Sequence, residues 1–327
     1  LRLFPKKIPQ NMNILANDGI SPSGAEALRN AGHTLHTDFV DADHLQAFIH
    51  EHSIDGVLVR SATKIRQPLI DACPNLKFIG RGGVGMDNID VEYARNKGVA
   101  VFNTPAASSQ SVAELVMGHL FALARFQHDS NRQMPARGAG EFKALKKAYG
   151  KGTELRGKTL GILGFGRIGR SLASYALGCG MNVVAHDPFV TDGNVHVAVG
   201  GQTITVDCPR LSLDELLGTS DMVSVHVPAQ ADGSAVIGAA ELGKMKPGSF
   251  LANAARGGSV DEDALLAALD SGHLAGAALD VFVGEPAPRA DVLAHPKLAL
   301  TPHIGAATSE AQDRIGLELA AQIEALA

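Results

Sequence analysis

An arginine, a glutamate and a histidine each follow a predicted strand in the second half of the sequence. Arg256 lies in "SFLANAARGGSVDEDALLAAL", Glu285 in "LAGAALDVFVGEP" and His303 in "LALTPHIGAAT". Because the carboxyl ends of parallel strands meet at one edge of a sheet, we expect these side chains to converge. Arginine binds a carboxylate through its planar fork, a histidine exchanges protons near neutral pH, and a glutamate orients the imidazole. The set suits proton transfer coupled to hydride transfer on a 2-keto or 2-hydroxy acid.

A second motif precedes these residues, in "LGILGFGRIGR". Its glycines, Gly164, Gly166 and Gly169, are spaced G-x-G-x-x-G between the strand-like "KTLGIL" and the helical "RIGRSLASYALGCG". The next predicted strand, "NVVAHD", ends at Asp187, 18 residues after Gly169. Strand, glycines, helix and acidic residue in this order indicate a dinucleotide site, with the pyrophosphate at the helix N-terminus. Asp187 would accept hydrogen bonds from ribose hydroxyls and repel a 2′-phosphate, which favours NAD over NADP.

Composition narrows the classes of protein. The 327 residues are 45% hydrophobic and 19% charged, which is typical of a globular chain of about two domains. A net charge of −5 without a dense basic cluster argues against nucleic acid as a ligand. Three scattered cysteines, Cys73, Cys179 and Cys208, predict neither a disulfide framework nor a zinc site, and we expect a reducing cytoplasm. The apolar runs are too short for a membrane span.

We expect residues 1–10 to be a loosely held extension, and the helical ending suggests a clipped natural C-terminus.

The order of patterns predicts two α/β domains. From Asn13, short apolar runs alternate with helical patterns, which indicates parallel βαβ units. The alternation breaks at "NTPAASSQSVAELVMGHLFALARFQ", a loop followed by a longer apolar helix, and resumes at Thr159 after a polar, glycine-broken stretch. "VHVAVGGQTITV" predicts an inserted hairpin turning at Gly200-Gly201, and the last helix, from Ser309, has no strand of its own and should return to the first domain.

We therefore predict two Rossmann-like, doubly wound parallel-sheet domains. The predicted substrate-binding domain is discontinuous, with residues 1–107 and 302–327, and the predicted NAD-binding domain, residues 108–301, is inserted into it. The active site is expected between them, where closure would bring His303 and Arg60 together.

The four ordered motifs resemble the D-isomer-specific 2-hydroxyacid dehydrogenases over nearly the whole chain. The resemblance implies that Arg256 anchors the substrate and polarises its carbonyl, that His303 donates or accepts the proton, and that Glu285 is its partner. It also implies that Asp280 contacts the nicotinamide amide and that His226 lines the cofactor cleft. The cofactor-binding set expected on this basis is Gly164, Gly166, Arg167, Ile168, Gly169, Asp187, His226, Ala254 and Asp280.

Within that family, "VRSATK" and "GRGGVGMDNID" look most like the D-3-phosphoglycerate dehydrogenases. This similarity implies an anionic substrate, most simply 3-phosphoglycerate or its keto acid. Glyoxylate, hydroxypyruvate or D-lactate chemistry is the alternative, and an NAD-sensing regulator similar to the C-terminal-binding-protein corepressors is an alternative of another class. The predicted substrate-binding residues are Arg60, Ser61, Gly82, Gly83, Val84 and Gly85.

Some features depart from the family pattern. The chain ends before the C-terminal regulatory domain that many phosphoglycerate dehydrogenases carry, so we expect no serine feedback through such a domain. The hairpin and the segment 134–149 are also unusual. Family members commonly dimerise through the long helix and arm, here residues 111–150, and we expect a homodimer or higher homo-oligomer. The surface histidines His44, His50 and His52 lack a convincing ligand face, so no metal is predicted, and His119 is expected to be a satisfied core or interface residue.

Overall fold

The computed structural model describes residues 11–230 and 232–326. It separates into two compact units: unit 1 falls within Leu1–Ser108 and Ala306–Ala327, and unit 2 is Ser109–Gly305. The extension predicted for residues 1–10 lies outside the described residues. Both units are Rossmann-like α/β layers, as the sequence predicted.

Unit 1 is built on a five-stranded parallel sheet of order β2-β1-β3-β4-β5. Apolar side chains cover both faces of the sheet, in one cluster with Leu45, Ile49 and Ile70 and another with Leu28 and Phe78. The chain winds from β1 to one side and then to the other, so the winding direction reverses between β1 and β3. The strands are β1 (Asn13–Ala16), β2 (Thr34–His36), β3 (Gly56–Val59), β4 (Phe78–Arg81) and β5 (Ala100–Asn103). The helices are α1 (Pro22–Asn30), α2 (Ala42–Glu51), α3 (Gln67–Ala72), α4 (Val91–Asn96) and α12 (Ser309–Glu324).

The last helix belongs to unit 1. Helix α12 begins after Thr308, whose side chain accepts from the backbone N–H of Ala311. Its buried face packs against α1, where Gly24 and Gly316 let the two backbones touch. Gln322 adds a hydrogen bond of 2.9 Å to the carbonyl of Asn103, the last residue of β5.

Unit 2 contains a six-stranded parallel sheet of order β13-β12-β11-β10-β6-β7. Its winding reverses between β6 and β10, and helices cover both faces. The strands of this sheet are β6 (Thr159–Leu163), β7 (Asn182–His186), β10 (Met222–Val225), β11 (Ser249–Asn253), β12 (Leu274–Leu279) and β13 (Leu298–Leu300). The helices are α5 (Ser109–Ala124), α6 (Gln127–Ala148), α7 (Arg167–Gly178), α8 (Leu213–Thr219), α9 (Ala239–Lys244), α10 (Glu262–Asp270) and α11 (Ala290–Ala294).

The predicted hairpin is present as a separate two-stranded antiparallel sheet. Strands β8 (Asn194–Val199) and β9 (Gln202–Asp207) are joined by Gly200 and Gly201, which both have positive φ. Two positive φ values in a two-residue loop are typical of the turn that matches strand twist. Val195 and Val197 bury one face of β8 in the core that includes α7.

Helix α6 is a feature that the sequence pattern did not reveal. It runs through the polar, glycine-broken stretch after α5, with Pro135 inside it and a kink at Glu141. Prolines and glycines disfavour helix interiors, and only Leu145 among its residues is buried. Because the helix lacks a sustained apolar stripe, its sequence carries little helical signal.

Candidate active site

Three neighbouring strands of unit 2 carry the predicted chemical groups at their carboxyl ends. Strands β11, β12 and β13 are adjacent and parallel. Arg256 follows β11, Glu285 follows β12 and His303 follows β13. The parallel arrangement therefore places the three loops on one edge, as the sequence indicated.

Glu285 and His303 are in direct contact. The Nδ1 of His303 lies 2.8 Å from Oε2 of Glu285, and the two side chains are 45% and 34% exposed. An ionised carboxylate only accepts hydrogen bonds, so the hydrogen of this contact belongs to Nδ1. The Nε2 atom is then the ring position available for proton exchange. The other carboxylate oxygen, Oε1, accepts from the backbone N–H of Phe282 at 2.9 Å, which fixes the glutamate in its turn.

The loop of Arg256 is shaped by Asn253, the last residue of β11. Asn253 is buried; its amide donates to the carbonyl of Arg256 at 3.0 Å and its oxygen accepts from the N–H of Ala255 at 3.1 Å. A Cβ on Gly257 would overlap the carbonyl of Phe282, so the glycine lets this loop lie directly on the turn that ends in Glu285. The loops of the arginine and of the glutamate are thus packed together.

Asp280 lies beneath this edge rather than on it. It is 1% exposed, and its oxygens accept from the hydroxyl of Thr301 and from the N–H groups of Ile304 and Gly305. These contacts tie the end of β12 to the loop that carries His303. Contact of Asp280 with the nicotinamide amide stays a prediction.

The glycine motif has the geometry that a bound dinucleotide needs. Gly164 has φ +93°, and a Cβ there would collide with the carbonyl of His226. A Cβ on Gly169 would collide with the carbonyl of Gly164, so it brings helix α7 close to the turn. Gly166 differs, because a Cβ there would meet no described atom within 4 Å and would stand in open space at the start of α7. That space, at a helix N-terminus without a side-chain cap, fits a pyrophosphate.

The neighbouring residues complete this region. Asp187 is fixed by the N–H groups of Phe165 and Phe189, at 2.8 and 2.9 Å. His226 follows β10, at the reversal point of the sheet beside Gly164, and burial lowers its pKa to about 4. It is therefore neutral near pH 7. Three further predicted cofactor residues lie on the same sheet edge, namely Arg167 and Ile168 in the first turn of α7 and Ala254 directly after β11.

In unit 1, the predicted substrate-binding loop after β3 is held by residues that the sequence reasoning missed. Asp18 accepts from the N–H groups of Arg60 and Thr63 and from the hydroxyl of Thr63. Asn88 donates to the carbonyls of Arg60 and Thr63 at 3.0 and 2.6 Å. Asp18 follows β1 in "NILANDG". The rule that polar groups gather after strands would have found it.

The second predicted substrate segment follows β4, the neighbour of β3, and so lies beside the loop that contains Ser61. The N–H of Gly82 donates to Val59 and that of Gly83 donates to Thr104, each at 2.8 Å. Within the described chain, the amides of Val84 and Gly85 have no such acceptor. Of the four predicted donors, Val84 and Gly85 are thus the two whose N–H groups remain available, and their binding of a carboxylate stays a prediction.

The remaining predictions concern the rest of the chain. His119 is buried and contacts Thr301, so it is a satisfied core residue as expected. His44 and His50 lie on α2 and His52 follows it. Among residues 11–230 and 232–326, no three metal-ligating side chains gather around one point. In the same residues, no helix is both long enough and apolar enough to cross a bilayer.

Comparison with known proteins agrees with this geometry. Residues 117–305 match the profile of the D-isomer specific 2-hydroxyacid dehydrogenase, NAD binding domain. The chain is 40% identical to hydroxypyruvate reductase of Thermotoga maritima, over 94% of this chain and 95% of that protein. It is 38% identical to D-3-phosphoglycerate dehydrogenase of Mycobacterium bovis, over 95% of this chain but only 56% of that protein. The crystal structure of the TT0316 protein from Thermus thermophilus superposes with a TM-score of 0.82, at 32% identity and 96% coverage of both chains.

The chain is thus an oxidoreductase with a nicotinamide cofactor. It belongs to the D-isomer-specific 2-hydroxyacid dehydrogenase family.

Proposed function

We propose that the chain reduces a 2-keto acid to a D-2-hydroxy acid with NADH, or runs the reverse oxidation, using His303 as the acid-base group. The observation that carries this proposal is the 2.8 Å contact between His303 Nδ1 and Glu285. When bound, the nicotinamide supplies a hydride to C2 of the keto acid, or takes it from the hydroxy acid. We propose that residues 1–107 and 302–327 form the substrate-binding domain and residues 108–301 the NAD-binding domain.

Proton transfer follows from the orientation of the imidazole. In reduction, Nε2 of the charged imidazolium gives its proton to the carbonyl oxygen while C2 gains the hydride. The neutral imidazole that remains keeps its Nδ1 hydrogen on Glu285. In oxidation, Nε2 takes the hydroxyl proton as the hydride leaves, and the adjacent carboxylate stabilises the positive ring. Arg256 binds the substrate carboxylate and polarises the carbonyl through its planar donors.

NAD is the cofactor that Asp187 favours. Its carboxylate sits at the end of β7, where the adenosine ribose of a dinucleotide binds in this fold. A 2′-phosphate would bring two further negative charges close to it. We therefore propose a strong preference for NADH over NADPH, with the cofactor-binding residues predicted from the sequence.

For the substrate, we propose 3-phosphohydroxypyruvate and 3-phosphoglycerate. The support is Arg60, on the loop after β3 that Asp18 and Asn88 contact, together with the amides of Val84 and Gly85. Ser61 lies on the same loop. A second candidate is hydroxypyruvate, because the chain matches the hydroxypyruvate reductase of Thermotoga maritima over 95% of that protein. The two candidates differ by one phosphate, and a cation such as Arg60 discriminates between them.

A kinetic panel tests this choice. Phosphohydroxypyruvate, hydroxypyruvate, glyoxylate and pyruvate are each reduced with NADH and with NADPH, and absorbance at 340 nm is followed. We expect the highest kcat/KM with phosphohydroxypyruvate and NADH. Arg60→Gln should lower that value roughly 10- to 100-fold, the cost of one hydrogen bond to a charged group, and change hydroxypyruvate reduction little. Higher kcat/KM for hydroxypyruvate in the unaltered protein would establish the second candidate instead.

We also propose that the chain forms a homodimer through residues 111–150. Helix α6 presents large apolar side chains to solvent, with Phe142 58% and Met134 42% exposed. We propose that these two side chains belong to an apolar patch that the partner covers. Sedimentation velocity of the unaltered protein and of Phe142→Glu tests this, and a monomeric unaltered protein at micromolar concentration would contradict it.

A further inference from the structure

A buried histidine on helix α5 contacts the loop that carries His303. His119 is 8% exposed, and its Nε2 lies 3.0 Å from the hydroxyl of Thr301. Thr301 directly follows β13 and stands two residues before His303. None of the sequence motifs includes this contact, which joins residues 182 positions apart.

The directions of the hydrogen bonds are fixed by Asp280. Its Oδ1 accepts from the Thr301 hydroxyl at 2.6 Å and from the N–H of Ile304 at 2.9 Å. The threonine hydroxyl has one hydrogen, which it gives to the carboxylate, so its oxygen accepts from His119. Burial lowers the pKa of His119, against the opposing charge of Asp280, so the ring is neutral near pH 7. Its single N–H is therefore on Nε2, and it points at Thr301.

The loop needs this support because His303 has an unfavourable backbone conformation. Its φ is +54°, in the left-handed region where a side chain clashes with its own backbone. The carbonyl of Thr301 accepts from the N–H of His303 at 3.1 Å, and Asp280 holds the N–H of Gly305 at 2.9 Å. Such a conformation persists only where surrounding contacts determine it. Thr301 takes part in two of the contacts that hold the loop, because its carbonyl accepts from His303 and its hydroxyl donates to Asp280.

We propose that His119 is a positioning residue for the acid-base group. By donating to Thr301 it fixes the rotamer of that threonine, which orients the Asp280 carboxylate and holds the His303 ring against Glu285. This inference rests on the proposed role of His303. If this hydrogen bond served only the stability of the core, its loss would lower stability and leave the turnover of the folded enzyme unchanged.

Two substitutions separate these roles. His119→Met fills similar space without a donor, whereas His119→Gln keeps an N–H near the position of Nε2. We expect His119→Met to lower kcat roughly 3- to 10-fold, the cost of one neutral hydrogen bond, with KM for NADH unchanged. His119→Gln should restore most of the lost turnover. The ¹⁵N chemical shift of His303 Nδ1, which reports its bond to Glu285, should move in the Met variant and return in the Gln variant.

The matched control is His273, whose Nε2 contacts the carbonyl of Leu242 at 3.0 Å and is not part of this network. His273→Met makes the same chemical change and should lower the midpoint of thermal unfolding while kcat stays within about twofold. If His119→Met behaves like His273→Met, with lower stability and unchanged kcat, the inference is overturned.

A double-mutant cycle tests the route through the threonine. Thr301→Val removes this contact from the loop side together with the hydroxyl that donates to Asp280, and in that background His119→Met should cost no further turnover. If His119→Met does not fold, Thr301→Val alone must show the loss of kcat and the shifted His303 signal, and unchanged values overturn the inference. A different result would show that His303 is not the acid-base group: His303→Asn would then retain turnover, whatever the effect of substitution at position 119.

Discussion

One loop in each unit is held by an aspartate, and both aspartates accept from three donors, namely a threonine hydroxyl and two backbone N–H groups. In unit 1, Asp18 accepts from one threonine hydroxyl and two backbone N–H groups of the loop after β3. In unit 2, Asp280 accepts from the hydroxyl of Thr301 and two backbone N–H groups of the loop after β13. The hydrogen bonds are alike, but Asp280 is 1% exposed and Asp18 is only half-buried.

The difference in burial matters because an unpaired charge costs far more away from water. Asp280 depends on all of its donors, since no solvent replaces a lost one. For the half-buried Asp18, water replaces part of the hydrogen bonding that a lost donor would have supplied. We therefore expect the loop of His303 to keep one geometry and the loop of Arg60 to tolerate adjustment. A proton donor must meet a carbonyl oxygen at one distance and angle, while an arginine captures an anion over a wider range of positions.

The largest expected effect is at His303, and it tests whether the rigid loop carries the chemistry. His303→Asn removes the acid-base group but keeps a polar side chain that tolerates positive φ. We expect kcat to fall by roughly 10²- to 10⁴-fold, the range for loss of general acid-base catalysis. The dissociation constant for NADH, measured by fluorescence titration, should stay within about threefold. A variant with near-normal turnover would remove His303 from the proposed reaction.

The next effect is at Asp280, and it tests the role of burial. Asp280→Asn replaces one accepting oxygen with an NH₂ group that faces existing donors. We expect the free energy of unfolding, measured with urea, to fall by about 1.5 to 3 kcal/mol. The drift of the His303 loop should also lower kcat roughly 10- to 100-fold. Asp280→Glu retains the charge but not the shape, and a full recovery of kcat in that variant would contradict a requirement for precise geometry.

The sequence predicted which loops carry the side chains of this site better than it predicted the residues that hold those loops in place. Alternating patterns and the spacing of Gly164 to Asp187 were sufficient for both sheets and the cofactor turn, because they depend on residues close in the chain. A carboxylate after a strand looks the same whether it faces a ligand or the core. For Asp280 the direction depends on the neighbouring loop, which is 21 to 25 residues away. The contact of His119 with Thr301, 182 positions away, escaped for the same reason, whereas Asp18 follows β1 and obeys the rule that polar groups gather after strands.

The smallest expected effect is at Asp18, because water can replace part of the hydrogen bonding that this half-buried residue loses. Asp18→Asn should raise KM for the keto acid roughly 3- to 10-fold, because the Arg60 loop gains freedom, and leave kcat within about twofold. The free energy of unfolding should fall by about 0.5 to 1.5 kcal/mol, less than for Asp280→Asn. Both variants are compared in the same urea titration and the same progress-curve assay. If Asp18→Asn lowers kcat as much as Asp280→Asn does, burial does not distinguish the two loops, and rigidity of the Arg60 loop is as necessary for turnover as that of His303.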